Sequence, residues 1–301
     1  MRPVFRDAGL QGTFDHRGYV QTPFLNVAQV EALKQAYFAT LGESRGCLLG
    51  AEADFKSTSE ITYDFTFIDR NPAYKQLVFN TIVDALDAPQ SRLLDDYRPI
   101  IANFIRKKPG GGEVPLHQNW AFVDERRCTS VSIWCPLVDS NGDNGTLQFV
   151  DGSHKRFAEV RGPMVPWELT AIQREIIDGQ LTPAHDIQAG QAVVLDDSIV
   201  HYSNINRTES LRLAIQLILV PREEPTIHFH MNPHENRDRV EKLEVDVDFF
   251  MNFHPWKKPE KFKHLATLPF QSRQLSLAEF QARLRAPRFD APAHHLTPPF
   301  R

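Results

Sequence analysis

TSVSIWCPLVDSNGDNGTLQFV, residues 129–150, places two short runs rich in β-branched and aromatic side chains on either side of a polar turn. Within it, SNGDNG at 140–145 supplies glycine and asparagine where a reversal of the chain needs positive φ. The stretch therefore predicts strand, turn, strand. The same texture extends outward from about residue 97, through RPIIANFIRKK (98–108), QAVVLDD (191–197) and RLAIQLILV (212–220). A glycine cluster at 109–112, PGGG, reads as a loop, because neither it nor 140–145 has the strand, following helix and Lys-Ser/Thr of a phosphate loop. One helix around WELTAIQREIID (167–178) interrupts the runs without starting a strand-helix alternation, which argues against a doubly wound parallel sheet. The predicted architecture is mainly β with flanking helices, an antiparallel two-sheet barrel or jelly roll.

Upstream, residues 1–96 predict two covering helices. In LNVAQVEALKQAYFATLG (25–42), Asn26 and Gln29 form a capping box and Val30, Leu33, Tyr37 and Leu41 share one face. The second helix starts at Asn71-Pro72, turns Tyr74, Val78, Ile82 and Leu86 inward, and ends before Pro89. Downstream of Pro221 the chain becomes polar, proline-dotted and rich in histidine, with one expected helix in SLAEFQARLR (276–285). The expected organisation is one domain over 1–225, with its barrel at 97–221, and a C-terminal extension over 226–301 that covers or extends it.

With 301 residues and 42% hydrophobic content, the chain can bury a large core. Its 38 acidic and 34 basic residues form no long run of one sign, so nucleic acid and anionic membrane are not expected partners and a small-molecule substrate is. MRPVFRDAGL has no apolar leader region, and no stretch is long enough to cross a bilayer, so a soluble, cytoplasmic protein is expected. Cys47, Cys128 and Cys135 match no zinc or redox spacing and read as buried thiols. The sequence leaves oligomeric state open.

The candidate chemistry begins in VPLHQNWAFVDE (114–125). His117 and Asn119 stand two apart and share a face if the segment is extended. A mononuclear iron site open to small ligands needs two imidazoles and a third donor on one side of the metal. His201, in LDDSIVHYSN, is a second imidazole at the end of an apolar strand. Arg212 opens the next strand and can hold a carboxylate in a bidentate pair, and Ser203 stands two positions from His201. Trp120 and Phe122 fit either core packing or a substrate-pocket wall. His228, His230 and His234 lack an acidic or thiol partner at fixed offset and read as a solvated or substrate-covering loop. Asp196 and Asp197 are expected to accept hydrogen bonds from loop amides rather than to act as acid and base.

LHQNW, WCPLVDSNGDNGTLQFVDGSH and HYSNINRTESLR, in this order, resemble the phytanoyl-CoA dioxygenase family of Fe(II)- and 2-oxoglutarate-dependent oxygenases. The resemblance covers about 97–220. It implies a double-stranded β-helix, with His117 and His201 as iron ligands and Arg212 on the distal carboxylate of 2-oxoglutarate, assisted by Ser203. Trp134 and Asn103 match strand positions flanking that cosubstrate, and His154 matches a positional residue. The implied reaction consumes 2-oxoglutarate and dioxygen, releases succinate and carbon dioxide, and oxidises a C–H bond, by default to an alcohol.

Asn119 departs from the family, which has aspartate there. The amide removes one negative charge from the metal's surroundings, so metal affinity should be lower than with Asp and should rise in Asn119→Asp. The alternative function is accordingly a metal-weakened or non-catalytic relative that binds a ligand. Related halogenases carry glycine or alanine here, and asparagine fills the space that a halide would take. A metalloenzyme of the cupin type without 2-oxoglutarate would leave Arg212 unexplained.

Overall fold

The computed structural model describes residues 2–40, 64–255 and 257–289; Leu41 and Cys47 lie outside them. The expected antiparallel jelly roll is present. Its larger sheet has the order β1 (Tyr19–Pro23), β7 (Gln191–Asp196), β5 (Val131–Pro136), β9 (Arg212–Pro221), β3 (Tyr97–Lys107), β2 (Asp64–Phe65). The smaller sheet has the order β4 (Val114–His117), β8 (His201–Ser203), β6 (Leu147–Phe149). All pairings in both are antiparallel.

Alternation along β9 shows how the larger sheet is used. Leu213, Ile215, Leu217 and Leu219 join Val131, Ile133 and Cys135 of β5 and Ala102 and Phe104 of β3 in one apolar cluster. Two helices cover that face, α2 (Val27–Thr40) with Val30, Leu33 and Tyr37, and α3 (Pro72–Leu93) with Tyr74, Val78, Ile82 and Leu86. Arg212, Gln216 and Ile218 have the opposite parity and line the barrel interior. Both faces are thus buried, which is why these runs read as nearly continuous apolar sequence.

Asn71 caps α3 by accepting from the Ala73 and Tyr74 amides, and Pro72 takes the first turn. The helix does not stop before Pro89 but runs through it to Leu93. A proline inside a helix costs about 3 kcal/mol. Burying an apolar side chain returns about 1.5–3 kcal/mol, and the four on this face outweigh that cost. Asn71→Ala should lower stability by about 1 kcal/mol, seen as a lower urea midpoint at constant slope; an unmoved midpoint would mean the cap contributes nothing.

Three N-terminal elements have weak sequence signals. Helix α1 (Ala8–Arg17) buries Phe14 alone, and β1, which pairs with β7 at the sheet edge, is five residues long with only Tyr19 and Val20 buried. Strand β2 has two residues.

Beyond Pro221 the chain is more regular than its composition suggests. A third sheet runs β10 (Ile227–His230), β11 (Arg239–Glu244), β12 (Lys263–Pro269), with α5 (Val247–Met251) between the last two strands. His228 and His230 sit buried on β10 rather than in a solvated loop, and only His234 lies in an exposed turn. Leu243, Val245, Phe249 and Phe250 pack with Ile100, Ile101, Phe122 and Val220, joining this sheet and α5 to the barrel. The expected helix is α6 (Leu277–Arg285), with a Ser276–Glu279 capping box and Phe280 stacked on Phe157. Among the described residues no helix is long and apolar enough to cross a membrane.

Candidate active site

His117 ends β4 and His201 begins β8, and the two are direct partners in the antiparallel ladder. That pairing brings residues 84 apart in sequence to a ring-centroid distance of 4.1 Å. Each Nδ1 sits at hydrogen-bond distance from the carbonyl two residues earlier, Pro115 O at 2.7 Å and Ile199 O at 3.0 Å. A carbonyl accepts only, so both Nδ1 atoms carry the proton and both Nε2 atoms keep a free lone pair. Burial lowers both pKa values, His201 well below the usual value with His117 adding to the effect, so the rings are neutral.

Asn119 lies just past β4. Its Nδ2 donates to Asp197 Oδ1 at 2.8 Å and to Ser132 Oγ at 3.2 Å. With Nδ2 so engaged, the amide oxygen points away from Asp197. The backbone around it is tied down as well. Gln118 donates to Ser198 O and accepts from the Trp167 indole, while the Asn119 carbonyl accepts from Arg161 Nε at 2.6 Å. Among the described residues no three His, Cys, Asp or Glu side chains form a metal-holding group. The donor set available to a cation is two imidazole nitrogens and an amide oxygen, and such a set fits a divalent transition metal.

The imidazoles open into a cavity of about 280 Å³ whose wall also includes Asn119, Trp120, Phe122, Trp134, Asn103, Ser203 and Arg212. Every candidate site residue from the sequence lines it. Arg212 is 2% exposed, and its guanidinium lies 5.5 Å from the centre of the Trp134 ring. Its Nε and Nη1 have no hydrogen-bond partner. Burial without a counter-charge pulls its pKa down to about 9, still high enough to keep the charge at neutral pH. A buried cation that lines a cavity and keeps two N–H donors unpartnered fits a carboxylate ligand.

Ser203 is held between Lys107 Nζ, which donates to its Oγ at 2.5 Å, and Gly145 O, which accepts from it at 2.7 Å. Gly145 has φ +80°, and a Cβ there would strike the Asn204 carbonyl oxygen, so this close approach requires glycine. Asn103 Nδ2 donates to Gln216 Oε1 at 3.1 Å and leaves Asn103 Oδ1 without a partner. Trp120 belongs to an aromatic cluster with Phe67, Phe253 and His228, while Phe122 packs edge-on to Phe250. His154 is buried beneath Gly18, away from the cavity.

Two residues escaped the sequence reading, and a third has other partners than expected. Gln216 lines the cavity, four residues along β9 from Arg212. Lys107 is fully buried and opposite Arg212 in the β3–β9 ladder, with its pKa lowered to about 6 by burial and by Arg212. Its parity with Asn103 and Ile105 was the available signal. Asp197 accepts from the Asn119 and Ser132 side chains, not from loop amides. Its neighbour Asp196 does behave as expected, accepting from the Ser198 amide and hydroxyl. Asp197 is buried, which pushes its pKa up to about 7.

Known proteins resemble this chain in sequence and in fold. A phytanoyl-CoA dioxygenase domain-containing protein 1 from Danio rerio is 32% identical over 129 residues, covering 40% of this chain and 44% of the relative. A phytanoyl-CoA dioxygenase from Arabidopsis thaliana is 29% identical over 168 residues, covering 50% and 53%. The chain thus spans about half the length of these relatives. Among solved structures, the non-heme alpha ketoglutarate dependent carbocyclase SnoK from nogalamycin biosynthesis superposes with a TM-score of 0.52 at 17% identity, covering 75% of this chain and 89% of that one. EctD from S. alaskensis with bound Fe gives 0.50 at 17%, covering 76% and 84%. The likeness to both is one of fold. The sequence profile of the Phytanoyl-CoA dioxygenase (PhyH) family matches residues 18–214, about two thirds of the chain, and the protein belongs to that family.

Proposed function

We propose that this protein is an Fe(II)- and 2-oxoglutarate-dependent oxygenase acting on a small molecule. His117 Nε2, His201 Nε2 and Asn119 Oδ1 hold the metal, and Arg212 binds the distal carboxylate of 2-oxoglutarate. The observation that carries the reading is the buried, unpartnered guanidinium of Arg212 in the same cavity as the paired imidazoles. Bound iron supplies the oxidising chemistry that couples 2-oxoglutarate and dioxygen to oxidation of a C–H bond.

The chain's own contribution is orientation and exclusion of water. Pro115 O and Ile199 O fix the imidazole tautomers, so no proton must be lost before the metal binds. The Trp134 ring beside Arg212 restricts where the guanidinium can point. Trp120, Phe122, Phe67 and Ile218 make the remaining wall apolar, which suits a substrate with an apolar portion and keeps solvent from the reacting carbon. Hydroxylation is the default outcome.

The amide at 119 supports a second reading, a barrel that binds metal and 2-oxoglutarate without turning them over. Succinate formation from 2-oxoglutarate, with Fe(II) and air, separates the two. The oxygenase reading expects succinate from the natural protein and none from His201→Ala. Tight 2-oxoglutarate binding with no succinate under any substrate tried would favour the binding protein, and succinate at an equal rate from His201→Ala would overturn the site.

A further inference from the structure

Two neutral imidazoles and an amide give a dication no formal negative charge among its direct partners. One buried carboxylate stands immediately behind them. Asp197 is fully buried, and its Oδ1 accepts from Asn119 Nδ2 at 2.8 Å and from Ser132 Oγ at 2.7 Å. Among the described residues no Lys or Arg forms an ion pair with it, and Arg161, whose charge it feels, is paired with Glu125. Its backbone is fixed too, with the Asp197 amide donating to Ser130 O at 3.2 Å and Asp196 capping the following turn through Ser198. An acid placed this deep without an ion-pair partner of its own costs stability unless further positive charge arrives nearby.

The hydrogen bond has a direction. Once ionised, as a dication nearby favours, the Asp197 carboxylate can only accept, so the Asn119 amide must present its NH2 group to it. The amide oxygen is then forced to the other side, toward the imidazoles. A charge-assisted N–H···O bond also draws electron density through the amide onto its oxygen, making it a better donor to a cation.

We propose that Asp197 is a positioning residue for the metal, which aims the Asn119 oxygen at the ion and returns, from one side chain further out, the negative charge that an aspartate at 119 would carry. The proposal rests on the metal site described under the proposed function. It also changes the expectation for Asn119→Asp. A carboxylate at 119 would face the Asp197 carboxylate at the distance now spanned by a hydrogen bond, so repulsion offsets the gain in charge. The gain should appear only when residue 197 becomes an amide.

Co(II) titration of the purified protein, followed by the visible absorption of the bound ion and with thermal midpoints recorded in parallel, tests this. The proteins are the natural chain, Asp197→Asn, Asn119→Asp, the double variant Asn119→Asp/Asp197→Asn, and His117→Ala. Asparagine at 197 can still accept both hydrogen bonds, so the fold is expected to survive. Asp197→Asn should weaken Co(II) roughly ten- to a hundredfold and alter the absorption envelope. The double variant should bind at least as tightly as the natural protein and more tightly than Asn119→Asp. A folded Asp197→Asn that binds within twofold of the natural protein overturns the proposal. If Asp197→Asn does not fold, the comparison of Asn119→Asp with the double variant decides, and equal or tighter binding by the single variant overturns it. Loss of Co(II) in His117→Ala shows that the metal site itself stands. A natural protein that binds no Co(II), or a His117→Ala variant that binds equally well, removes the site and the proposal together.

Discussion

Arg212→Met is expected to lose 2-oxoglutarate affinity by more than tenfold, at least about 2 kcal/mol, while leaving the apo fold as stable as before or more so. The two effects have opposite sign for one reason. In the free protein the guanidinium is a buried cation with two unsatisfied N–H groups, a net cost to folding that methionine removes while keeping most of the volume. In the proposed complex the guanidinium would pair with the distal carboxylate. Isothermal titration with 2-oxoglutarate and Mn(II), paired with a thermal melt of the apo protein, measures both. Unchanged 2-oxoglutarate affinity would show that Arg212 does not meet the carboxylate. The pH dependence follows. Arg212 has its pKa lowered to about 9 in the free protein, and a bound anion raises it again, so binding takes up a proton above that value. Affinity should therefore be full below about pH 9 and fall as pH rises further.

Arg161→Ala should destabilise the fold by about 3–5 kcal/mol, the largest loss expected from a single charge deletion here. Arg161 and Glu125 are 4% and 3% exposed and form a two-pronged pair at 2.5 and 2.8 Å. Removing the arginine strands the Glu125 carboxylate in the interior. The exposed pair Arg126–Glu159 is the control, and Arg126→Ala should cost no more than about 1 kcal/mol. Chemical denaturation measures both. The double variant Arg161→Met/Glu125→Leu, in which both members of the buried pair become apolar, should recover much of the loss, because no charge is left behind. A loss as small as that of Arg126→Ala would mean Glu125 finds water or another partner. Because Arg161 Nε also holds the Asn119 carbonyl, the alanine variant should bind metal less tightly even where it remains folded.

The barrel strands were legible because burial on both faces writes long apolar runs, and β9 and β3 show this most fully. His117, His201 and Arg212 were legible by residue type and order, since each does its work at a strand end. Pro89 misleads because proline's local cost is visible in sequence, whereas the packing of Leu86 and Ile82 that outweighs it is not. β10 reads as loop because its histidines are polar by type, although in place both are buried and His228 packs against Phe249 and Trp120. Asp197 was visible as an acid but not as the partner of Asn119, for the contact joins residues 78 apart through neither strand pairing nor a local spacing.

The third sheet and α5 bear on how this chain diverges from its relatives. The family match ends at residue 214, yet Phe249, Phe250 and Phe253 back the aromatic wall formed by Phe67, Trp120 and Phe122. Most of the cavity wall thus lies inside the matched region, whereas part of the aromatic packing behind it lies outside. A chain cut after residue 225 would keep every proposed ligand, lose the backing of its cavity, and expose aromatic surface to solvent.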